Sequence, residues 1–170
     1  VIARKQRVMR QDRLLTALSA HLAALYRVVD RVADAGTDAD EVIEHLARLA
    51  ASGVIAVRKG QERAWLLTML LRLIGAREAP AEQVRLPRLP GPVTPRRSMD
   101  VPPASLERLA DALQEMEKLE RASVVLVVQE GLSLEQAAML LGGTRQAFAQ
   151  AYAEGLESLD DELLDVLMSP

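Results

Sequence analysis

The sequence predicts an all-α protein: two small helical domains joined by a proline-rich linker. Three observations predict it. Apolar residues make up 49% of the 170-residue chain but aromatics only 2%, so the core is built from Leu, Val, Ala and Met, the residues of packed amphipathic helices. Seven of the eight prolines lie between Pro80 and Pro103, where neither a helix nor a strand propagates. On both sides of that stretch, apolar residues recur at helical spacing and stop at capping residues or glycines. The resulting layout is a domain at 1–79, a linker at 80–103 and a second domain at 104–170.

Each element follows from local signals. From about Arg4 to Ala33, Leu14, Leu18, Leu22, Leu25, Val29 and Val32 mark one face of a helix, broken by "DAGTD". Thr37 and Asp40 then form a capping box for a second helix, which runs to about Ala51 and ends before Gly53. A third begins near Glu62, carries "AWLLTMLLRLI" and stops at Gly75. Beyond the linker, Ser105 is placed to cap a helix reaching Lys118, and "RASVVLVVQE" follows, closed by Gly131. The run Val124 to Val128 suits a strand by propensity, but its length and helical neighbours favour a buried helix. Ser133 with Gln136 is another capping box, Gly142 and Gly143 turn the chain, and Thr144 caps the last helix. Roughly seven helices are expected, three before the linker and four after it.

Charge divides the chain more sharply than hydropathy. Residues 1–79 hold 13 Lys+Arg against 9 Asp+Glu, a net of +4, and the linker has 4 against 2. Residues 104–170 hold 4 against 13, a net of −9. Nonspecific affinity for nucleic acid comes from basic side chains displacing counterions, so phosphate repels this second half. The absence of cysteine excludes disulfides and thiolate metal sites and agrees with a reducing compartment. No apolar run approaches the ~20 residues of a membrane span, and the basic start "VIARKQRVMRQDR" leads into no signal-peptide core. A soluble, cytoplasmic protein without a membrane partner is therefore expected.

The order of segments and their motifs resembles a sigma factor of the small, extracytoplasmic-function type, in which region two is joined to region four by a linker. "DADEVIEHLARL", Asp38 to Leu49, is similar to the acidic helix by which sigma factors hold the polymerase clamp, and "RAWLLTMLLRLI", Arg63 to Ile74, resembles the Trp-Leu helix after it. "LQEMEKLERASVVLVVQEGLSLEQAAMLLGG" is similar to region four, with Leu119, Arg121, Gly131, Ser133, Glu135, Ala138, Leu141 and Gly142 at the family's spacing. The resemblance implies a helix-turn-helix, a recognition-helix surface at Thr144, Arg145, Phe148, Ala149 and Tyr152, and RNA polymerase core or an anti-sigma factor as partner. It also implies a polymerase or partner contact at Asp38, Asp40, Glu41 and Glu44.

The departures point away from promoter reading. The recognition helix "TRQAFAQAYAEGLESLDDE" has Arg145 as its one basic residue, and Ala149, Ala151 and Glu154 stand where the family tends to place cations. "GAREAP" follows the Trp65 helix in place of an arginine cluster, and Glu44 replaces a customary glutamine. This pattern resembles the sigma-like domain of PhyR-type stress regulators, which occupy an anti-sigma factor by protein contact. The expected function is thus a sigma-like regulator working mainly through protein contacts, with promoter DNA disfavoured by charge. The alternatives are an active sigma factor whose missing charge polymerase supplies, and a structural module drifted from a sigma ancestor.

The singled-out residues have plainer roles as well. Trp65 is expected as a core anchor. Phe148 and Tyr152, four apart on one helical face, either pack inside region four or form an apolar patch. The acidic group at 38–44 could simply stabilise a helix start through the macrodipole. Arg4, Lys5, Arg7, Arg10 and Arg13 either touch nucleic acid or form the exposed face of the first helix, and Arg96 and Arg97 are expected to be solvated. His21 and His45 have no ligand cluster, so no metal is expected. No nucleophile with its base, carboxylate pair or phosphate-cradling loop is legible, so neither catalysis nor a cofactor is expected.

Overall fold

Thirty-one consecutive residues without glycine or proline open the chain as one long helix, α1, Ile2–Val32. The structure, a computed structural model, describes residues 2–52, 57–77, 86–91 and 101–169, and side chains from residue 11 onward. The basic residues Arg4, Lys5, Arg7 and Arg10 as side chains, and Gly53, Pro80, Arg96 and Arg97 entirely, lie outside the described residues. All described regular structure is helical, so the all-α expectation holds.

α1 buries Leu14, Leu18, Leu25, Val28, Val29 and Val32 along one side, and the chain turns at Gly36 with φ +86°. α2, Ala39–Ser52, seats Ile43, Leu46 and Ala50 against it. Its cap is Asp38 and not Thr37, because the Asp38 carboxylate accepts the N–H groups of Asp40 at 2.9 Å and Glu41 at 3.3 Å. α3, Glu62–Leu73, is buried on all sides from Arg63 to Leu71, with Trp65 in the core as the sequence predicts. That full burial explains why "AWLLTMLL" has no polar face.

α4, Pro103–Glu115, starts with proline at its first position, and Ser105 sits inside the first turn, where its hydroxyl donates to Glu162 at 3.0 Å. Ser105 is therefore not the cap: Pro103, with no N–H to leave unsatisfied, begins the helix two residues earlier. α5, Lys118–Val124, opens with a reciprocal Glu117 and Glu120 capping box. It continues as a π turn over Val125–Gln129, in which the Glu130 N–H reaches back to the Val125 carbonyl at 3.1 Å. The valine run is helical and buried, not a strand. α6, Leu134–Leu141, has the predicted Ser133 and Gln136 capping box and ends at Gly142 with φ +79°. α7, Arg145–Glu157, is capped by Thr144 as predicted. It is not the last helix, however. Asp160 accepts the Leu163 N–H at 2.8 Å and starts α8, Asp161–Met168, which buries Leu163, Val166 and Leu167.

The segments before and after the proline-rich stretch pack against each other. α1 meets α4, α5 and the π turn, α3 meets α6, and one continuous apolar core includes residues from both halves. Of the expected linker, 86–91 and 101–103 are described, and 86–91 is held from both sides. Gln61 donates to the Leu86 carbonyl, Gln136 to the Arg88 carbonyl at 3.2 Å, and Arg63 to the Pro90 carbonyl at 2.7 Å.

The helix-turn-helix is fastened to α5 by close contact with α7. Phe148, Ala151 and Gly155 form the buried face of α7. A Cβ on Gly155 would lie 2.6 Å from Cγ2 of Val124 and 3.2 Å from the Glu120 carbonyl oxygen. Val124 is fully buried and has no room to retreat. Gly155→Ala is therefore expected to destabilise the fold by about 1–3 kcal/mol through overpacking, reversing the ~1 kcal/mol gain normal for this change in a helix. Phe148→Ala at the same seam should cost about 3–5 kcal/mol. Both are read from urea unfolding midpoints, and a stabilised Gly155→Ala protein would mean that α7 does not lie this close to α5.

Candidate functional site

The pair α6 and α7 is built from local signals placed on a packed frame. Ser133 Oγ accepts the Gln136 N–H at 3.1 Å while Gln136 Oε1 accepts the Ser133 N–H at 3.0 Å, fixing the start of α6. Gly142 in the left-handed region reverses the chain, and Thr144 Oγ1 accepts the Ala147 N–H at 3.2 Å to start α7. Arg77, buried after α3, donates to the Met139 and Leu140 carbonyls near the C-terminus of α6, where the helix dipole favours a cation. Burial pushes the Arg77 pKa down, and nearby Arg72 adds to this.

The outward face of α7 carries Arg145, Gln146, Ala147, Ala149, Gln150, Ala153, Glu154 and Glu157. Thr144, Arg145 and Ala149 are exposed, as a recognition surface requires. Phe148 is not part of that surface. It is 1% exposed, because it shares the α5-facing side with Ala151 and Gly155, which lie three and seven residues on. Tyr152, one turn beyond Phe148, is half-buried at the edge. Ala151 is buried too, so of the three positions where cations were looked for, only Ala149 and Glu154 face outward.

On α2 the acidic group is exposed but largely engaged locally. Asp38 caps the helix, Glu44 pairs with Arg48 one turn on, and Asp40 accepts from Tyr26 Oη at 2.6 Å. The Asp40 hydrogen bond raises the Tyr26 pKa, and burial and nearby carboxylates add to it. Glu41 is exposed. These carboxylates and the α7 face are separate surfaces on different halves of the chain, and the structure does not bring their side chains together.

Besides the shared apolar core, the halves are joined by polar contacts that the sequence does not announce. Arg63 and Glu130, each under a tenth exposed, form an ion pair at 2.9 Å. Arg63 Nη2 also donates to the Glu130 carbonyl at 3.3 Å, and Nη1 donates to the Pro90 and Gly91 carbonyls at 2.7 and 3.3 Å. Arg31 donates to Gln129 Oε1 and to the Leu167 carbonyl. Asp34, at the end of α1, pairs with Lys118 and with the buried Arg121, which also donates to the Leu113 carbonyl and to Gln114. The Lys118 hydrogen bond is the main cause holding the Asp34 carboxyl below its usual range. The sequence context gives little sign of the pairing: Arg63 sits at the polar start of α3, and Glu130 is the single acid that ends the valine run.

His21 stands near the ion pair on α1. Its Nδ1 is buried without a hydrogen-bond partner. Burial lowers its pKa, Arg63 lowers it further, and Glu130 partly opposes them. Among the described residues, no three His, Cys, Asp or Glu side chains gather as a metal site, and no helix is long and apolar enough to cross a membrane. The chain matches no family model, no curated protein and no solved structure.

The histidine has a pH signature. Its folded pKa lies below the ordinary value near 6.5, so the unfolded chain takes up a proton first as pH falls. The stability it confers as a neutral group is fully present above 6.5 and declines as pH drops through 6.5 toward the folded value. In urea titrations from pH 7.5 downward, wild type should lose stability relative to His21→Gln through this window. A wild type that gained stability over the variant on acidification would mean that His21 is charged in the fold.

Proposed function

We propose that this chain is a sigma-factor-like transcription regulator that acts mainly through protein contacts, with RNA polymerase core or an anti-sigma factor as partner, in the bacterial cytoplasm. Its layout would be a region two-like helical module at 1–79, the proline-rich linker at 80–103 and a region four-like module at 104–170. The observation that carries this reading is the outward face of α7: the second helix of the α6–turn–α7 unit presents one cation, Arg145, from a half with a net charge of −9. Duplex DNA offers one negative charge per ~1.7 Å, so such a face lacks the phosphate contacts that normally supply affinity. Small and polar residues, Ala147, Ala149, Gln150 and Ala153, suit close approach by another helix better than a groove. The exposed carboxylates of α2 offer a second, acidic contact surface.

An active promoter-recognising sigma factor is the second reading. It is favoured by Arg145, exposed in the first turn of α7, where recognition helices reach base edges. Polymerase would then supply the missing affinity.

DNA binding separates the two. In fluorescence anisotropy with candidate promoter duplexes across a salt series, the full chain should show only weak nonspecific binding at physiological salt. Ala149→Lys with Glu154→Lys, both at exposed sites, should tighten binding and steepen its salt dependence by about one logarithmic unit per added cation. Sequence-specific binding by wild type tighter than about 10⁻⁷ M would put the active sigma factor first.

A further inference from the structure

We propose that Arg63 is a latch that couples the strap 86–91 to the seam between the two halves, so that release of the strap and opening of the seam are one event. This inference holds whether or not the chain is sigma-like.

Its basis is the connectivity of a single guanidinium. One nitrogen, Nη1, holds the strap through the Pro90 and Gly91 carbonyls, and the other, Nη2, holds the second half through the carboxylate and carbonyl of Glu130. Guanidinium is planar and rigid, so rotation that frees one pair of bonds also misaligns the other. Both members of the ion pair are buried, and a charge left there without its partner draws water in. Losing the strap would expose the outer side of Arg63 to solvent and weaken the pair. Losing the pair would leave the strap carbonyls with a donor no longer held in place.

Opening would part the apolar core that the halves share, but the remaining polar ties of the seam are exchangeable. Besides apolar contact, the seam is tied by Arg31 to Gln129 and Leu167, Arg77 to α6, Gln114 to the Ala33 carbonyl, and Lys118 and Arg121 to Asp34. Each of these polar groups has a ready substitute in water, unlike buried apolar surface.

The strap can be loosened without touching Arg63. Gln61 and Gln136 hold its far edge through the Leu86 and Arg88 carbonyls. Gln61→Glu with Gln136→Glu replaces both donors by acceptors of the same size, and a glutamate at 136 still accepts the Ser133 N–H of the capping box. The native chain has no cysteine, so Glu44→Cys on α2 and Ala153→Cys on α7, both exposed, provide a unique spin-label pair across the halves. The two readouts are tryptic cleavage at the Arg88–Leu89 bond and the distance distribution between the labels.

In the Gln61→Glu, Gln136→Glu protein, cleavage is expected to accelerate about tenfold, tracking the open population, and a longer inter-label distance should appear with it. Glu130→Gln, which leaves the strap contacts untouched, should produce the same pair of changes from the other side. Faster cleavage without a distance change in the strap variant, or a longer distance without faster cleavage in Glu130→Gln, would overturn the coupling. No change in either readout for both proteins would overturn it equally. Should Glu130→Gln fail to fold, the strap variant alone decides.

Discussion

The structure depends on one buried charge pair. Arg63 and Glu130 come from opposite halves of the chain, and each would be a costly isolated ion in the interior they share. The arrangement is tolerable because hydrogen bonds surround it: the guanidinium meets a carboxylate and three carbonyl oxygens, and Gln129 donates to the other Glu130 oxygen at 2.8 Å. Neighbouring features are arranged around that requirement. The π turn inserts an extra residue before Glu130 at the end of α5, and burial next to Arg63 keeps His21 toward its neutral form. The segment 86–91 supplies two of those acceptors, the Pro90 and Gly91 carbonyls.

A second constraint places the helix-turn-helix. α7 approaches α5 at a glycine, Gly155, where the opposing Val124 leaves no space for a methyl group. Burying Phe148 and Ala151 on that side assigns the opposite face of α7 to solvent, and with it Arg145, Ala149 and Glu154. Arg77 then ties the end of α6 to the end of α3. The outward face of α7 is thus set by packing beneath it, while its own residues are small, polar or acidic apart from Arg145.

These two constraints alter the meaning of the charge distribution. Among the described cations of residues 1–79, Arg13 pairs with Glu62, Arg31 with Gln129, and Arg63 and Arg77 face the other half. Arg58, Lys59 and Arg72 stay exposed. The acidic second half remains largely uncompensated at its surface, where Arg108 meets both Asp160 and Glu162 and lowers the Glu162 pKa.

By itself the sequence determined the all-helical class and most helix limits, because these rest on short-range physics: apolar spacing, the Ser133 and Thr144 caps, and left-handed glycines at 75, 131 and 142. It also determined the glycine turn between α6 and α7 and the poverty of cations on α7. It misplaced features decided by distance in space. Asp38 outcompetes Thr37 as a cap through the geometry of its carboxylate, and the Asp160 cap that separates α8 was hidden in a run of acids. The even choice for Phe148 was settled only when α5 supplied a surface to bury it against. Likewise, a glutamate at the end of a valine run carries no local sign that an arginine 67 residues away will neutralise it. Local preferences act within a turn or two of chain, whereas ion pairing and close packing depend on which surfaces meet, and only the tertiary structure decides that.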